Sequence, residues 1–411
     1  MTKRSIGVGL ISVGWMGRLH SKAYASIRYA YPGASFAPRL VVAADSVQAN
    51  ADHAVDVLGY ERATLDYREV LADPEVDVVS ICAPNFLHRE FALAAAAAGK
   101  PFWIEKPTGR DAGETQDIVE AALAADVVTA VGFTYRQAPA VQHARRLIAE
   151  GRLGEVTNVK VSMLADYSAD PLGAHTWRYE TARAGSGVLG DLLSHGIDLA
   201  THLVAPVGEV TALTQTVIPE RPKPSGATVG HVTASADDPL LPVENEDYAS
   251  MLVRFAGSRA VGFLEASRVA VGPRSDYALE VYGTEGSLRW TFAAMNELQV
   301  CLGRGGDVHG YTTVLAQAGD GDYAHFQPGP GISMGFDDLK TVEAHQFLES
   351  VATARQVAPS VADALRAARV VEAAETSAAD GAWHLVAAPG SEESPEHAAG
   401  MEHTRRLSGQ G

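Results

Sequence analysis

The fold of this chain is decided close to its start, where residues 6–17 read IGVGLISVGWMG. The run 6–11 is apolar throughout, which is typical of a strand buried on both faces of a parallel sheet. A turn and a helical pattern follow, with the spacing of the dinucleotide fingerprint G-x-G-x-x-G and Ser12 in place of the first glycine. Gly14 lets the backbone approach a pyrophosphate, and Gly17 lets the helix pack closely on the strand.

Outward from this motif, short apolar runs alternate with helical stretches as far as residue 135. The predicted strands are 40–44, 76–83, 102–105 and 127–134, and the predicted helices between them are 49–58, 91–98 and 112–125. This alternation predicts a doubly wound parallel sheet of the Rossmann type.

Asp45 ends the second predicted strand, where a carboxylate can bind the ribose hydroxyls of an adenosine. The same carboxylate would repel a 2′-phosphate, so we expect NAD rather than NADP. Residues 29–38, with two prolines and a glycine, resemble an insertion that lengthens the spacing from Gly17 to Asp45.

After residue 136 the pattern changes to longer alternating segments joined by glycine-containing turns, which predicts an α+β domain with a large, mostly antiparallel open sheet. We therefore divide the chain into a NAD-binding Rossmann domain (1–136), a domain for substrate binding and oligomerisation (137–388) and a polar, flexible tail (389–411).

The overall composition excludes several classes of function. The chain has 411 residues and a net charge of −17, which argues against binding nucleic acid or an anionic membrane. Cys82 and Cys301 are the only cysteines, too few for a disulfide framework or a cysteine zinc site. No apolar stretch reaches the roughly 18 residues of a membrane span. We expect a cytoplasmic protein without a membrane partner.

Two further motifs carry residues suited to chemistry. Lys106 follows a predicted strand, at the edge where open parallel sheets bind ligands, and it can hydrogen-bond a substrate hydroxyl. Asp191 and His195 are four residues apart on a helix predicted over 191–203, so the carboxylate would orient the imidazole for proton transfer. Taken singly, these residues also fit a solvated lysine, a helix cap and a packed histidine.

Together the motifs resemble the Gfo/Idh/MocA family of NAD(P)-dependent sugar and polyol oxidoreductases, over residues 5–385. The resemblance implies a catalytic set of Lys106, Asp191 and His195, with no metal. It also implies a cofactor-binding set of Ser12, Gly14, Trp15, Met16, Gly17, Asp45, Pro84, Asn85, His88, Glu105 and Arg178. Aromatic and hydrogen-bonding residues that suit a carbohydrate are Tyr135, Arg136, Asp166, Tyr167, Trp177 and Tyr179.

The resemblance also bears on assembly. Apolar side chains fall on both phases of the predicted C-terminal strands, and family members bury the second face of this sheet against another subunit. We therefore expect a homodimer or homotetramer. Tyr323, His325 and Phe326, in a long predicted loop, are expected to line the outer part of the pocket.

Within the family, segments 166–171, 176–179, 218–222 and 296–301 resemble the group that oxidises levoglucosan and position 3 of glycosides. We predict an NAD-dependent dehydrogenase acting on a secondary hydroxyl, at C3, of a pyranose sugar, anhydrosugar or glycoside. The alternatives are a myo- or scyllo-inositol dehydrogenase, an NAD-dependent redox glycosidase without net NADH formation, and a sugar- or NAD-sensing binding protein. Retention of all three catalytic residues argues against the sensor.

Overall fold

The computed structural model describes residues 3–224, 232–305 and 309–387. The tail predicted for residues 389–411 lies outside them. None of the helices within these ranges is long and apolar enough to cross a bilayer.

The N-terminal part is a six-stranded parallel sheet in the order β3-β2-β1-β4-β5-β6, as a doubly wound fold requires. Its strands are β1 (Arg4–Ile11), β2 (Phe36–Ala44), β3 (Arg62–Thr64), β4 (Val78–Ile81), β5 (Phe102–Ile104) and β6 (Thr129–Val131). The helices between them are α1 (Trp15–Ala30), α2 (Gln48–Asp56), α3 (Tyr67–Ala72), α4 (Asn85–Ala97) and α5 (Ala112–Ala124). The predicted Rossmann fold is confirmed.

The structure corrects two local expectations. Strand β3 and helix α3 were not predicted, because both are short and β3 is not buried. The stretch 29–38 is not a loop insertion: α1 continues to Ala30, and β2 already begins at Phe36, opposite Arg4 of β1.

The C-terminal part is built on a nine-stranded sheet in the order β16-β15-β14-β13-β7-β12-β11-β8-β17. Its strands are β7 (Val156–Ala165), β8 (Val207–Gln215), β11 (Tyr248–Phe255), β12 (Val261–Ser267), β13 (Ser275–Gly283), β14 (Gly286–Thr291), β15 (Glu297–Leu302), β16 (Thr312–Leu315) and β17 (His384–Leu385). Only β7 and β12 pair in parallel among them, so the predicted mostly antiparallel sheet is confirmed. A separate two-stranded antiparallel sheet is formed by β9 (Glu220–Pro222) and β10 (Leu240–Pro242).

Helices cover one face of this sheet, and two of them return to the Rossmann sheet. The helices of this half are α6 (Pro139–Ala149), α7 (Thr181–Ala184), α8 (Ser194–Leu203), α9 (Phe336–Thr353) and α10 (Val361–Asp380). Helix α9 packs on α1, and α10 packs on α5. Residues predicted to belong to the second domain therefore complete the core of the first.

Candidate active site

The fingerprint turn after β1 is shaped to receive a phosphate group. Ser12 adopts a φ of 76°, the left-handed conformation that a glycine would take with less strain. A Cβ on Gly17 would lie 2.2 Å from the Ser12 carbonyl oxygen, whereas a Cβ on Gly14 would meet nothing within 4 Å. Among the described residues no side chain caps α1. Its first N–H groups and positive dipole therefore face open space, which suits a pyrophosphate.

Asp45 closes the same turn at the end of β2. Its Oδ2 accepts a hydrogen bond from the Val13 N–H at 2.8 Å, and its Oδ1 accepts one from the Val47 N–H at 2.9 Å. Trp15, the first residue of α1, is 72% exposed, and its ring stacks on Phe336, while Met16 packs on the core beneath. The predicted cofactor residues of this turn thus lie together.

Lys106 follows β5 and precedes a cis peptide bond to Pro107. Its Nζ donates to the main-chain oxygen and to Oδ1 of Asp191, both at 2.8 Å, and the Tyr167 hydroxyl donates to Oδ2 of Asp191 at 2.8 Å. Burial would raise the pKa of Asp191, but the Lys106 ammonium and the Tyr167 hydroxyl hold it below its ordinary value. Asp191 is therefore a carboxylate that fixes the direction of Lys106.

The backbone around Asp191 differs from the predicted helix. Residues Leu189–Leu193 form a π-helical turn that leads into α8. Because a π turn bonds residue i to i+5, Asp191 and His195 do not have the geometry of an α-helical pair, and the carboxylate binds Lys106 instead. The prediction that Asp191 orients His195 directly is wrong.

His195 faces the same cleft from α8. It is 9% exposed, and its ring packs edge-on against Tyr135 at 4.7 Å. Burial, and then the charge of Lys106, lower its pKa well below the ordinary value, so the imidazole is neutral. Neither ring nitrogen has a hydrogen-bond partner in the described part of the chain, which leaves both available to a ligand.

Glu105 points in the opposite direction, into the protein. It is 7% exposed, and its Oε1 accepts from Lys340 Nζ at 2.6 Å and lies 3.0 Å from His20 Nε2. A Cβ on Gly132 would lie 2.5 Å from this oxygen, so a larger residue there would displace the Glu105 carboxylate from its partners. The resemblance implied that Glu105 belongs to the cofactor-binding set, and in the structure its carboxylate is bound to buried partners.

These partners extend into a buried ionic network behind the active site. Lys340 is 1% exposed, and its Nζ also lies 2.9 Å from Oε2 of Glu343. Burial raises the pKa of Glu343 to about 7, against the opposing effect of Lys340. Burial likewise lowers the pKa of His20 to about 4, and its ring stacks on Trp103 at 3.5 Å. We call His20, Glu105, Lys340 and Glu343 the buried network.

Sequence reasoning missed Lys340 and Glu343. They lie on α9, more than 200 residues from Glu105 in the chain. A Lys and a Glu three residues apart are the usual pattern of a solvent-exposed helix face, so the sequence carried no signal that both are buried.

Comparisons with known proteins agree with this geometry. Residues 6–133 match the family model described as oxidoreductase family, NAD-binding Rossmann fold, and residues 141–289 match the GFO/IDH/MocA C-terminal domain. Levoglucosan dehydrogenase of Pseudarthrobacter phenanthrenivorans is 37% identical over 386 residues, covering 92% of this chain and 98% of that protein. The chain belongs to the Gfo/Idh/MocA family.

The chain is also similar to a solved structure and to an inositol dehydrogenase. A structure of levoglucosan dehydrogenase in complex with NADH and levoglucosan aligns with a TM-score of 0.87 at 36% identity, covering 94% of this chain and all of that one (100%). Inositol 2-dehydrogenase of Rhizobium meliloti is 26% identical over 376 residues, covering 92% of this chain and 98% of that protein. As a member of the Gfo/Idh/MocA family, the protein is an NAD-binding oxidoreductase.

Two other residues predicted to bind the cofactor, His88 and Asn85, form hydrogen bonds with main-chain oxygens of the loops around the cleft. His88 is buried, with its ring nitrogens 2.8 Å from the Pro107 oxygen and 2.7 Å from the Ala83 oxygen. Asn85, which follows Pro84 at the start of α4, donates to the Ala184 oxygen at 3.1 Å. The His88 and Asn85 side chains thus join the loops around Lys106, with His88 buried and Asn85 partly exposed.

Two of the predicted substrate residues are held by partners within the protein. Arg136 forms buried ion pairs with Asp198 and Asp363. Tyr179 is 4% exposed between the guanidinium groups of Arg221 and Arg268, 4.6 and 4.8 Å from its ring centre. Both side chains are used in packing, because acidic and basic partners distant in sequence surround them.

The remaining predicted residues divide between the cleft and its surroundings. Tyr167 binds Asp191 and Tyr135 packs on His195, as described above. The Arg178 guanidinium lies 4.5 Å above the Trp177 ring, and Trp177 meets Phe86 at 5.7 Å. Asp166 pairs with exposed Arg274 at 3.3 Å, at the end of β7.

The expected outer-pocket residues do not line the pocket. Tyr323 is buried, and its hydroxyl donates to the Gly329 oxygen at 2.7 Å. His325 and Phe326 pack on Tyr31, just beyond the end of α1. That prediction is wrong, because the loop folds back on the Rossmann domain.

Proposed function

We propose that the protein is an NAD-dependent dehydrogenase that oxidises a secondary hydroxyl, at C3, of a pyranose sugar, an anhydrosugar such as levoglucosan, or a glycoside. The observation that carries this proposal is the cluster of Lys106, Asp191, Tyr167 and neutral His195 in the cleft. It supplies a fixed cation and an unpartnered imidazole beside the carboxyl edge of the Rossmann sheet. The likeness to levoglucosan dehydrogenase over nearly the whole chain supports a sugar substrate.

The residues of the fingerprint turn fit NAD. The open space above Gly14 and the uncapped start of α1 would hold the pyrophosphate, and Asp45 would bind the adenosine ribose. When bound, NAD supplies the hydride acceptor of the reaction. The oxidation also requires that the hydroxyl proton is removed and that the charge developing on the oxygen is stabilised. The chain's own residues provide both functions.

Lys106 and His195 have complementary roles in that proton handling. The Lys106 ammonium, held by Asp191, donates a hydrogen bond to the substrate oxygen and stabilises the negative charge that develops there. Neutral His195 accepts the hydroxyl proton. Asp191 and Tyr167 keep the ammonium aimed at the cleft, so we assign them to positioning Lys106 rather than to proton transfer.

The test is NADH formation by the purified protein with NAD and a panel of levoglucosan, glucose, methyl glucosides and myo-inositol. We expect NADH with levoglucosan or a glucoside. Activity confined to myo-inositol would instead favour the inositol dehydrogenases to which the chain is also similar. Bound NAD without NADH from any sugar would contradict the proposal. Identification of the ketosugar product by NMR tests the C3 assignment.

We also propose that the enzyme is a cytoplasmic homodimer or homotetramer joined through the outer face of the C-terminal sheet. On that face Leu213, Leu252 and Val261 are 62%, 50% and 50% exposed, on the neighbouring strands β8, β11 and β12. Leu252 lies opposite Phe263 on β12, which extends the apolar surface. Light scattering is expected to give two or four subunits for the native protein and a smaller assembly for Leu252→Lys.

A further inference from the structure

The helix that carries the candidate catalytic residues begins without a cap of its own. The π-helical turn Leu189–Leu193 leads directly into α8, and Val188 stands at the N-cap position, where its apolar side chain accepts no hydrogen bond. The first N–H groups of a helix have no acceptor within the helix. A start that also lies in a π turn, which is rare in proteins, therefore needs acceptors from elsewhere in the chain.

Glu246 supplies these acceptors from a distant segment. Its Oε1 accepts from the Leu189 N–H at 2.8 Å, and its main-chain oxygen accepts from the Val188 N–H at 3.2 Å. Burial raises the pKa of the Glu246 carboxyl, against the opposing effect of hydrogen bonds from the N–H groups of Leu189 and Gly187. A Cβ on Gly187 would collide with the main-chain oxygen of Glu246, so the two segments are in direct contact.

The residues on both sides of Glu246 hold it against this helix start. The buried Arg268 guanidinium donates to Asp247 Oδ1 at 2.7 Å and to Asn245 Oδ1 at 2.9 Å. Asn245 Nδ2 in turn donates to the main-chain oxygen of Ser186 at 3.3 Å. Side chains before and after Glu246 therefore fix the position from which its carboxylate reaches the π turn.

The π turn that Glu246 caps also holds Lys106. Asp191 lies two residues after Leu189, and its main-chain oxygen is one of the two acceptors of Lys106 Nζ, both at 2.8 Å. Because one of these acceptors belongs to the backbone, the direction of the ammonium depends on where the turn places the chain. Helix ends fray, and losing a cap destabilises them further. Loss of the bond to Leu189 would therefore let the Asp191 oxygen move.

We propose that Glu246 is a positioning residue for Lys106: its carboxylate caps the π turn and thereby fixes the Asp191 main-chain oxygen that directs the ammonium. This inference rests on the proposed function, in which that ammonium binds the substrate oxygen. Glu246 acts as a hydrogen-bond acceptor at a fixed position, and its negative charge is not required.

Two variants separate the position of the acceptor from its charge. Glu246→Gln keeps an oxygen for the Leu189 N–H and removes the charge, so kcat stays close to that of the wild type. Glu246→Asp keeps the charge but draws the carboxylate back by one methylene, so the bond is lost and kcat falls by about 3- to 30-fold. KM for NAD does not change, because the fingerprint turn is not involved. Equal losses in the two variants, or a normal kcat in Glu246→Asp, would overturn the proposal.

The matched control is Glu244→Asp, the same change two residues earlier. The Glu244 carboxylate also accepts from a main-chain N–H, at 2.8 Å, but from Thr181 at the start of α7. We expect this variant to keep the kcat of the wild type. A loss equal to that of Glu246→Asp would show that any change in this loop disturbs turnover, and it would overturn the specific role of Glu246.

A labelling measurement tests the same role without turnover. Acetic anhydride acylates unprotonated amines, so a lysine whose ammonium is held by two acceptors reacts slowly. Peptide mass spectrometry gives the acylation rate of Lys106 relative to that of exposed Lys22 in the same protein. We expect a faster relative rate in Glu246→Asp and the wild-type rate in Glu246→Gln and Glu244→Asp, each with NAD still bound. An unchanged rate in Glu246→Asp would overturn the proposal. If no sugar yields NADH, the proposed dehydrogenase fails, while the reactivity of Lys106 still decides the role of Glu246.

Discussion

Two ionic clusters are built on the consecutive residues Glu105 and Lys106, and they differ in how much hydrogen-bonding capacity they leave free. In the buried network, Glu105 is held by Lys340 and His20, and all of these side chains are at most 9% exposed. In the cleft, adjacent Lys106 is 17% exposed and its partner Asp191 is 41% exposed. The first cluster is closed to ligands, and the second is open to them.

The difference shows that two neighbouring residues of one motif have different roles: Glu105 is structural, and Lys106 is placed to act on a ligand. Charges without water must be paired, since removing one partner leaves the other uncompensated. Breaking the buried network, at the junction of α9 with the Rossmann sheet, is therefore costly. The cleft cluster keeps hydrogen-bonding capacity free, on Lys106 and on both nitrogens of His195, and only such capacity can act on a substrate.

The sharpest contrast is expected from Lys106→Met. Loss of the cation proposed to bind the substrate oxygen lowers kcat/KM by about 10²- to 10³-fold, while the melting temperature and NAD affinity change little. Steady-state kinetics and thermal unfolding check this, with Lys22→Met on the exposed face of α1 as the control. Near-normal turnover would remove Lys106 from the mechanism and with it the division between the clusters.

The reciprocal change is Lys340→Met. It leaves Glu105 buried without its cationic partner, which costs about 3–5 kcal/mol of the free energy of unfolding. Lys22 also joins α1 to α9, through Asp337, but that pair is exposed and its loss costs less than about 1 kcal/mol. Urea denaturation of both variants measures the difference. Equal costs would show that the buried network is not what holds α9 in place.

The pH dependence of stability sharpens the comparison further. The pKa of Glu343 is raised from 4.5 to about 7, so it contributes stability that is fully present below pH 4.5 and is lost as the pH rises through 7. The pKa of His20 is lowered from 6.5 to about 4. Its contribution to stability is therefore fully present above pH 6.5 and is lost as the pH falls from 6.5 through 4.

Glu343→Gln removes the Glu343 contribution and keeps that of His20, together with those of the titrating groups outside the buried network. The free energy of unfolding of this variant is expected to rise with pH between 4.5 and 6.5 more steeply than that of the wild type, by about 1 kcal/mol per pH unit. Denaturation at several pH values in this window measures the slope. Parallel curves for the two proteins would contradict the raised pKa of Glu343.

The smallest effect is expected from Tyr167→Phe in the cleft. Asp191 loses one charge-assisted hydrogen bond, worth about 1.5–3 kcal/mol, but it retains Lys106. We expect kcat to fall by about tenfold. Because the Tyr167 hydroxyl helps to lower the pKa of Asp191, the acid limb of the pH–rate profile moves to higher pH. An unmoved profile would leave Tyr167 a merely packed residue.

Much of the fold follows from local patterns in the sequence. The apolar run of β1 and the glycines after it predicted the Rossmann half, and the alternation along β11 and its neighbours predicted the open sheet. Strand β3 was missed because three half-exposed or exposed residues carry no such pattern. The return of α9 and α10 to the first sheet was not predicted either, since that packing depends on contacts between distant segments.

The site divides in the same way. Lys106, Asp191 and His195 were predicted from motif and resemblance, and the structure brings them to one cleft. The sequence did not predict that Glu105, Arg136 and Tyr179 bind partners within the protein. Each partner is remote in sequence; in the same order they are Lys340, Asp198 and Arg221. Residue type suggests what a side chain can do, but its neighbours decide whether it is free to do it.

The most direct test is a crystal structure of the protein with NADH and levoglucosan. We expect a sugar hydroxyl oxygen within hydrogen-bond distance of Lys106 Nζ and of a His195 ring nitrogen, with Glu105 still bound to His20 and Lys340. A sugar bound away from Lys106, or a Glu105 carboxylate turned towards the ligand, would contradict the division of the two clusters.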